Sequence, residues 1–368
     1  MMRHQARLAL LVALVLAPAC ATIASWMPGG PERIPSKLEP DRVPHAMERA
    51  QAELDAHRTD RALQWMRAAV ATEGLPTATR EQVQTLLEVV AAKRIDELSK
   101  PGSDPEDLAE LVDLELPRQL AVAAGIQAAK RMQERGDLTD AYDVLKHVDA
   151  KYPLHHERAE SGEILQEVGL ALSKDYSHFM FFYDRQDDAQ EVLEYLILNY
   201  PRASRCDEAY ATLARIYTDQ RNWALAIDRL EKLLLNHPGS PLRPAAQADI
   251  PRLRLASIDS PEYDRSAILR ATAEFEAWLR AFPGNELESK VRLELADCLR
   301  RLSDSDLGIA EFYRRVDNGS GARWHAKRAA EEARRGGDEG RAKDAEEFLA
   351  KLPPDTEPVP AATKGGLP

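Results

Sequence analysis

The stretch LAIDRLEKLLLNHP, residues 225–238, has the spacing that decides the fold. Ala226 is followed by an apolar residue four positions later, Leu230, and by another seven positions later, Leu233. On a helix these three side chains lie on one face, and the small alanine allows a neighbouring helix to come close. Pro238 ends the pattern, because proline lacks an amide hydrogen and clashes with the preceding turn. The stretch therefore predicts an amphipathic helix that is closed by a proline.

The same spacing recurs in DAYDVLKHVDAKYP (140–153), DAQEVLEYLILNYP (188–201) and RATAEFEAWLRAFP (270–283). Each copy has an alanine, a bulky apolar residue four positions on and a proline twelve positions on. The signature residues are Ala141, Leu145 and Pro153; Ala189, Leu193 and Pro201; Ala226, Leu230 and Pro238; and Ala271, Phe275 and Pro283. This self-similarity indicates repeated helical hairpins, each of which needs a neighbour to bury its apolar face.

A first helix precedes the best copy. It carries Tyr210, Leu213, Ala214 and Tyr217 where a tetratricopeptide (TPR) repeat has bulky, leucine, small and aromatic residues. The copies thus resemble TPR repeats. The resemblance predicts an all-α fold, a TPR-type helical-hairpin solenoid (superhelix), whose concave groove holds extended peptides or helices. The repeat prolines lie 48, 37 and 45 residues apart, which predicts longer first helices or loops than in a plain TPR.

The first residues have the order of an export signal. Arg3 and Arg7 precede the apolar run 8–17, which is too short to cross a bilayer as a helix. The run ends on small residues and Cys20, and this order resembles a bacterial lipobox, in which the signal is cleaved before an acylated cysteine. The resemblance implies a signal peptide over residues 1–19, a palmitate-bearing anchor on Cys20, and a place on the periplasmic face of the outer membrane. The alternative is an ordinary secretory signal with a coincidental cysteine.

Composition and the positions of prolines and glycines predict the domain organisation. The 368-residue chain has 49 basic against 61 acidic residues, a net charge of −12, which argues against nucleic acid as a partner. The segment 20–44 joins the lipid anchor that the lipobox resemblance implies to a flexible tether that its prolines and glycines predict, and the proline-rich end predicts a disordered tail over 352–368. Between them we expect an N-terminal helical extension with a degenerate repeat (45–117) and a TPR repeat domain (118–351).

Several residues support narrower expectations. Thr79 and Gln82 have the spacing of a capping box that opens a helix. Pro251 falls inside the first helix of its repeat, where it is expected to kink or restart that helix. Cys206 and Cys298 are expected to be two buried, unpaired side chains rather than a disulfide.

Residues with the potential for chemistry are scattered. His155 and His156, followed by Glu157, form the densest cluster, and the spacing of a metal site is missing, so we expect a solvated loop. The acidic pair Glu331 and Glu332 is expected on an exposed helix face. The sequence also lacks the common nucleotide-binding, hydrolase and zinc-protease motifs. It therefore predicts no catalytic residue, no metal, no cofactor and a protein that is not an enzyme.

One region resembles a particular family. YPRAS (200–204), FEAWLRAFPGN (275–285) and DLGIAEFYRR (306–315) follow one another in an order similar to that of the BamD family, the TPR lipoproteins of the outer-membrane β-barrel assembly machinery. The resemblance covers roughly residues 180–335. It implies a lipid-anchored scaffold that binds the barrel-forming subunit and, through its N-terminal repeats, unfolded outer-membrane protein segments.

Two departures from that family keep an alternative open. Helical sequence between the anchor and the match is longer than in compact members of the family. The last repeat keeps Ala326 and Ala329 but has no Tyr-Pro ending. The alternative is another envelope TPR lipoprotein that organises peptidoglycan, division, secretion or pilus machinery. Both hypotheses describe a non-catalytic scaffold with protein partners.

Overall fold

The computed structural model describes residues 33–114, 116–174, 185–258 and 265–353. In these ranges all regular secondary structure is helical, which confirms the predicted all-α class. The chain divides into two compact units, unit 1 over Met1–Ile164 and unit 2 over Leu165–Pro368. The predicted signal peptide and Cys20 lie outside the described residues, as does the predicted tail after Pro353.

Unit 1 consists of helices that pack on their neighbours in the chain. In order they are the 3-10 helix Pro40–Arg42, α1 (Val43–Asp55), α2 (Thr59–Val70), α3 (Thr77–Leu98), α4 (Pro105–Ala109), the 3-10 helix Glu110–Asp113, α5 (Arg118–Arg135), α6 (Leu138–Lys151) and the first part of α7 (Arg158–Leu172). α1 packs on α2, α2 on α3 and α5 on α6. Their apolar faces close over a core that includes Trp65, Met66 and Leu87.

The chain before α1 is packed where the structure describes it. Ile34 lies against the core of unit 1, and Leu38 and Val43 are buried. Lys37 Nζ lies 2.9 Å from Glu73 Oε1. The last residues of the expected 20–44 tether are therefore not flexible linker, because their apolar side chains have a core to bury in.

Unit 2 repeats the hairpin pattern. Its helices after α7 are α8 (Arg185–Asn199), α9 (Cys206–Asp219), α10 (Trp223–Asn236), α11 (Arg243–Ala256), α12 (Arg265–Ala281), α13 (Glu288–Arg315), α14 (Gly319–Arg335) and α15 (Glu339–Ala350). From α8 onwards each helix packs against the next in the chain. This nearest-neighbour pattern defines a solenoid, so the predicted TPR-type helical-hairpin solenoid is confirmed in this unit.

Five hairpins in the described part of the chain share one turn. A residue with positive φ follows the first helix, and the next amide donates to a carbonyl five residues earlier, as in a Schellman helix end. The residues with positive φ are His57, Gly136, Arg221, Asp317 and Gly337. Because the turn is closed by backbone hydrogen bonds, hairpins with different turn sequences reverse direction in the same way.

Two local expectations about where a helix begins are wrong. α3 begins at Thr77, directly after Pro76, without a side-chain cap, so Thr79 lies inside the helix instead of opening it. α11 runs through Pro251, which is buried, so the helix does not restart there. In both places the tertiary packing of the helix outweighs a weak local signal.

Candidate functional site

The signature residues of the repeats lie inside the helix pairs. Those that are buried are Ala141, Leu145, Ala189, Leu193, Ala226, Leu230, Ala271 and Phe275, together with Tyr210, Leu213, Ala214 and Tyr217 of α9. Helices α6, α8, α10 and α12 each end two residues before their proline, namely Pro153, Pro201, Pro238 and Pro283. These positions build the hairpins, and two of them, Ala214 and Leu230, also line an opening between the helices.

Buried aromatic residues of the repeats also have structural partners for their polar atoms. The hydroxyl of Tyr217 donates to Glu194 Oε1 at 2.7 Å, and burial together with that carboxylate raises the pKa of Tyr217 to about 12. The indole nitrogen of Trp278 donates to the carbonyl of Pro244 at 2.7 Å. Both side chains therefore stabilise the core and are not available to a ligand.

A cleft of about 500 Å³ opens between α9, α10 and α11 in unit 2. It is lined by Ala211, Ala214, Arg215, Thr218, Trp223, Leu230, Leu242, Ala245, Ala246, Asp249, Arg252, Leu253 and Ala256. Most of these side chains are apolar. Ligand sites are typically clefts of this size with apolar walls and a few polar groups, so this cleft is the candidate binding site.

Alanines create the space. Ala211 and Ala214 on α9 and Ala245 and Ala246 on α11 all line the cleft, and none of them has a side chain long enough to fill it. The spacing of three residues in α9 is the helical spacing that the repeat requires for close packing. Of the four, only Ala214 belongs to the signature recognised in the sequence. The sequence gives no sign that the others face an opening, because an alanine that packs and an alanine that lines a cleft look the same.

Arg252 is the main polar feature of the cleft. Its Nε donates to both oxygens of Glu294, at 2.7 and 2.8 Å, and its Nη1 donates to Asp249. Burial opposes the charged form, but these hydrogen bonds outweigh it and raise the pKa of Arg252. Nη2 is buried without a hydrogen-bond partner among the described residues. An unsatisfied buried donor is costly, so an acceptor from a ligand would stabilise this guanidinium.

The other charges of the cleft are engaged with the protein. Arg215 Nη2 donates to the carbonyl of Ser173 at 3.2 Å, and its Nη1 lies 3.5 Å from Asp219. Asp249 is held by Arg252. Because its positive and negative groups are already paired, the cleft favours an apolar, uncharged segment over a strongly charged one.

His155 corrects one expectation from the sequence. The sequence predicts a solvated loop there, but only 4% of the surface of His155 is exposed, and its Nε2 lies 3.2 Å from Asp149 Oδ1. Arg158 Nη1 lies 3.4 Å from the same oxygen. His156 is exposed, as expected. The first histidine therefore forms a buried polar contact that fixes the loop between α6 and α7.

The structure also corrects the expectation for Glu332. The pair Glu331 and Glu332 was expected on an exposed face, but Glu332 is buried against Asp306 of α13, which is fully buried. Burial and the neighbouring Asp306 raise the pKa of Glu332 to about 7. The sequence could not show this, because the partner carboxylate comes from the preceding helix. Neither carboxyl group lines the α9–α11 cleft.

Arginines and a histidine surround the two carboxyl groups. Arg265 at the start of α12 donates to Asp306 and lies 3.6 Å from Glu332. His325 Nδ1 lies 2.6 Å from Asp306 Oδ1, and Arg328 lies 3.4 Å from Glu332. The cluster therefore joins α12, α13 and α14 by ionic contacts, which is a structural role.

Cys206 and Cys298 are buried and do not form a disulfide, as the sequence predicts. Burial raises the pKa of each thiol to about 11. A thiol with so high a pKa is a poor nucleophile, so both act as small apolar side chains.

The described residues offer neither a metal site nor a membrane-spanning helix. Within them, no cluster of three or more histidine, cysteine or acidic side chains is arranged to hold a metal ion. None of the helices described combines the length and the apolar character that a membrane crossing requires.

The hairpin beside the cleft has a recognisable family pattern. Residues 208–240, which cover most of α9 and all of α10, match the tetratricopeptide repeat family. TPR hairpins are protein-interaction repeats, so the class of protein that fold and site define is a scaffold for protein–protein contacts. No curated protein sequence matches the chain.

Solved TPR structures show limited similarity. Crystal structures of nearly identical TPR-like repeats from Podosopora anserina are 16% and 17% identical, with TM-scores of 0.31; they cover 58% and 60% of this chain, and 96% and 98% of theirs. A tetratricopeptide repeat protein from Parabacteroides merdae is 13% identical with a TM-score of 0.23, over 84% of this chain and 98% of its own.

Proposed function

We propose that the protein is a lipid-anchored scaffold that holds extended, apolar segments of partner proteins in the α9–α11 cleft. The observation that supports this most is the cleft of about 500 Å³ directly beside the hairpin that matches the TPR family. A scaffold of this kind acts by binding and has no catalytic residues of its own.

The walls of the cleft suit an extended peptide. Leu230 and Leu253 are apolar lining residues. Trp223 also lines the cleft, and tryptophan is among the residues that contribute most to binding affinity at protein interfaces. Arg252 lines the cleft, and a small shift of its buried Nη2 towards the opening would let it donate to a backbone carbonyl of the bound segment without adding a charge. Side chains then provide selectivity for apolar residues, while the carbonyl contact is independent of sequence.

The proposed anchor places unit 1 near a membrane. If Cys20 is acylated, the residues between it and Arg33 span at most about 45 Å when fully extended. We propose the periplasmic face of the outer membrane as the location, on the basis of the sequence resemblance to lipoproteins.

The machinery that the scaffold serves follows from the resemblance to the BamD family. We propose outer-membrane β-barrel assembly, with the barrel-forming subunit and unfolded outer-membrane proteins as partners. A second candidate, a scaffold for peptidoglycan, division, secretion or pilus machinery, is favoured by unit 1, whose packed helices α1–α6 precede the region of resemblance.

Site-specific crosslinking in the native envelope tests the proposal. A photoreactive amino acid replaces Ala211 or Ala245 in the cleft, and Lys232 on the exposed side of α10 serves as the control. Crosslinks to envelope proteins from the two cleft positions, but not from the control, support the scaffold. Mass spectrometry of the partners then separates barrel assembly from the second candidate. Equal labelling from all three positions would contradict a role for the cleft.

The anchor has its own test. Radioactive palmitate is expected to label the wild-type protein but not Cys20→Ala, and only the variant should be released as soluble protein. If both versions are soluble and unlabelled, the lipoprotein proposal is wrong.

A further inference from the structure

Unit 1 has a cleft of its own, between α2, α3 and the chain around the 3-10 helix Glu110–Asp113. It consists of two chambers, of about 240 and about 350 Å³. Arg67, Asp113 and Leu114 line both, so the chambers adjoin. We call them the apolar chamber and the acidic chamber.

The apolar chamber is the smaller one. Val70, Ala71, Leu87, Leu114 and Leu116 give it an apolar part, while Ser36, Arg67 and Asp113 line the rest. A dry cavity of about 150 Å³ already accommodates a benzene ring. The chamber therefore has room for one aliphatic side chain, whose burial would remove apolar surface from water on both sides.

The acidic chamber carries an excess of negative charge. Four carboxylates line it, those of Asp60, Asp107, Glu110 and Asp113, against the two guanidinium groups of Arg67 and Arg94.

Some of these charges are already compensated. Arg94 lies 3.5 Å from Glu97, which is outside the chamber. Asp113 lies 2.7 Å from His147 and 3.6 Å from Lys151.

The other three carboxylates are not compensated. In the described part of the chain, Asp60, Asp107 and Glu110 are solvent-exposed and form no ion pair with a basic residue. Asp107 and Glu110 are three positions apart on consecutive helical segments, where like charges repel. A cation in the chamber would relieve this repulsion.

The chain segment that carries Asp107, Glu110 and Asp113 is fixed by hydrogen bonds from side chains of α5 and α6. Lys151 Nζ donates to the carbonyl of Val112 at 2.7 Å. Arg131 and Arg135 both donate to the carbonyl of Ser103, at 2.8 and 2.7 Å, next to the start of α4. A cleft with fixed walls loses little conformational entropy when a ligand binds, which favours a site over an accidental opening.

We propose that this cleft binds an extended peptide segment in which a lysine or arginine and an aliphatic residue are two positions apart. In an extended chain, side chains two positions apart point to the same side and lie about 7 Å from each other. The cation enters the acidic chamber and the aliphatic side chain enters the apolar chamber. Arg67, at the junction, faces the backbone between them, where it meets carbonyl acceptors.

This inference concerns a different site and a different ligand from the proposed function. The unit 2 cleft has paired charges and accepts apolar segments, whereas the unit 1 cleft requires a positive charge. Unit 1 would thus give the scaffold a second, charge-selective contact with its partners.

Fluorescence anisotropy with labelled ten-residue peptides tests it on the full-length chain. The probe contains Lys-Ser-Leu within a glycine–serine sequence, and the comparison peptides contain Glu-Ser-Leu or Lys-Ser-Ser. The test variant is Asp107→Asn with Glu110→Gln. The matched control is Glu88→Gln with Glu106→Gln, two exposed carboxylates that do not line the cleft.

The expected results are specific. The Lys-Ser-Leu peptide should bind at least tenfold more tightly than either comparison peptide. The test variant should weaken that binding at least tenfold, while the control variant stays within twofold. Ala245→Leu, which fills the unit 2 cleft, should leave the binding unchanged, so failure of the proposed function would be seen separately. Equal binding of the lysine and glutamate peptides, or equal loss in test and control variants, would overturn the proposal, as would full competition by spermidine at the same concentration as the peptide.

Discussion

Asp306 on α13 and Glu332 on α14 bring two buried carboxyl groups into direct interaction. Glu332 Oε2 is buried without a donor among the described residues, so it is the oxygen that gains most from a proton, which it can then donate to Asp306. Arg265, Arg328 and His325 face the pair from α12 and α14. The packing of α14 on α13 therefore places two carboxyl groups where burial and the second carboxyl group raise the pKa of Glu332.

The first prediction is that this proton makes stability depend on pH. The pKa of Glu332 is raised from 4.5 to about 7, so folding favours the protonated form. The stabilisation that this proton contributes is fully present below about pH 4.5. It is lost as the pH rises through about 7, and the loss lowers the free energy of unfolding by roughly 1–3 kcal/mol. Glu332→Gln keeps a donor for Asp306 and cannot ionise.

Urea unfolding at pH 5 and pH 8 measures the effect. The stability difference between Glu332→Gln and the wild type should shift in favour of the variant at pH 8. Glu331→Gln, the exposed neighbour, is the control and should follow the wild type at both values. A constant difference between Glu332→Gln and the wild type would show that no proton is held there.

The second prediction concerns the cleft of unit 2. Ala245→Leu adds a side chain that points into open space, so it should abolish binding of apolar peptides with a change in stability below about 1 kcal/mol. Gln247→Leu, on the same helix but not lining the cleft, is the matched control. Isothermal titration calorimetry measures the affinity of both variants for a partner segment identified by crosslinking. Unaltered affinity in Ala245→Leu would exclude the cleft as the binding site.

The third prediction concerns the shared turn. Arg221 has a φ of 58°, a left-handed conformation that strains any residue with a Cβ atom, whereas Gly136 occupies the same position at a φ of 90° without strain. Arg221→Gly should therefore stabilise the protein by about 0.5–1 kcal/mol. Gly136→Ala should destabilise it by about 1 kcal/mol, although a Cβ there meets nothing within 4 Å. Thermal unfolding shows whether each variant is more or less stable than the wild type. A loss of stability in Arg221→Gly would show that the turn is not strained.

The fourth prediction concerns a close helix contact in unit 1. A Cβ on Gly125 of α5 would collide with the side chain of Val148 on α6 and come within 2.9 Å of Val112. Gly125→Ala should therefore cost about 1–3 kcal/mol. Val148→Ala makes room, so the double variant should be more stable than the sum of the two single effects, as measured by a double-mutant cycle in urea. If the stability changes of Gly125→Ala and Val148→Ala are additive, α5 and α6 do not approach each other closely enough for the two side chains to collide.

Much of the architecture can be predicted from the sequence, because local periodicity carries it. The alanine, the bulky residue and the proline of each copy give a helix, its buried face and its end, as in 225–238, and α10 ends two residues before Pro238. Local signals fail where packing is stronger, as at Pro251, which α11 accommodates in its interior. The shared turn has no common residue at its positive-φ position, because backbone hydrogen bonds close it, such as those that the amides after Arg221 and Gly136 donate.

The sequence by itself determined the all-α hairpin repeat, since spacing along one helix fixes which side chains share a face. Only the tertiary structure decided which faces stay open and which charges meet. Ala211 and Ala245 define a cleft because α9 and α11 hold them apart, and Asp306 meets Glu332 because α13 packs on α14. Such relationships join residues that are far apart in the chain. Their energies depend on distance and burial in three dimensions, which no local pattern records.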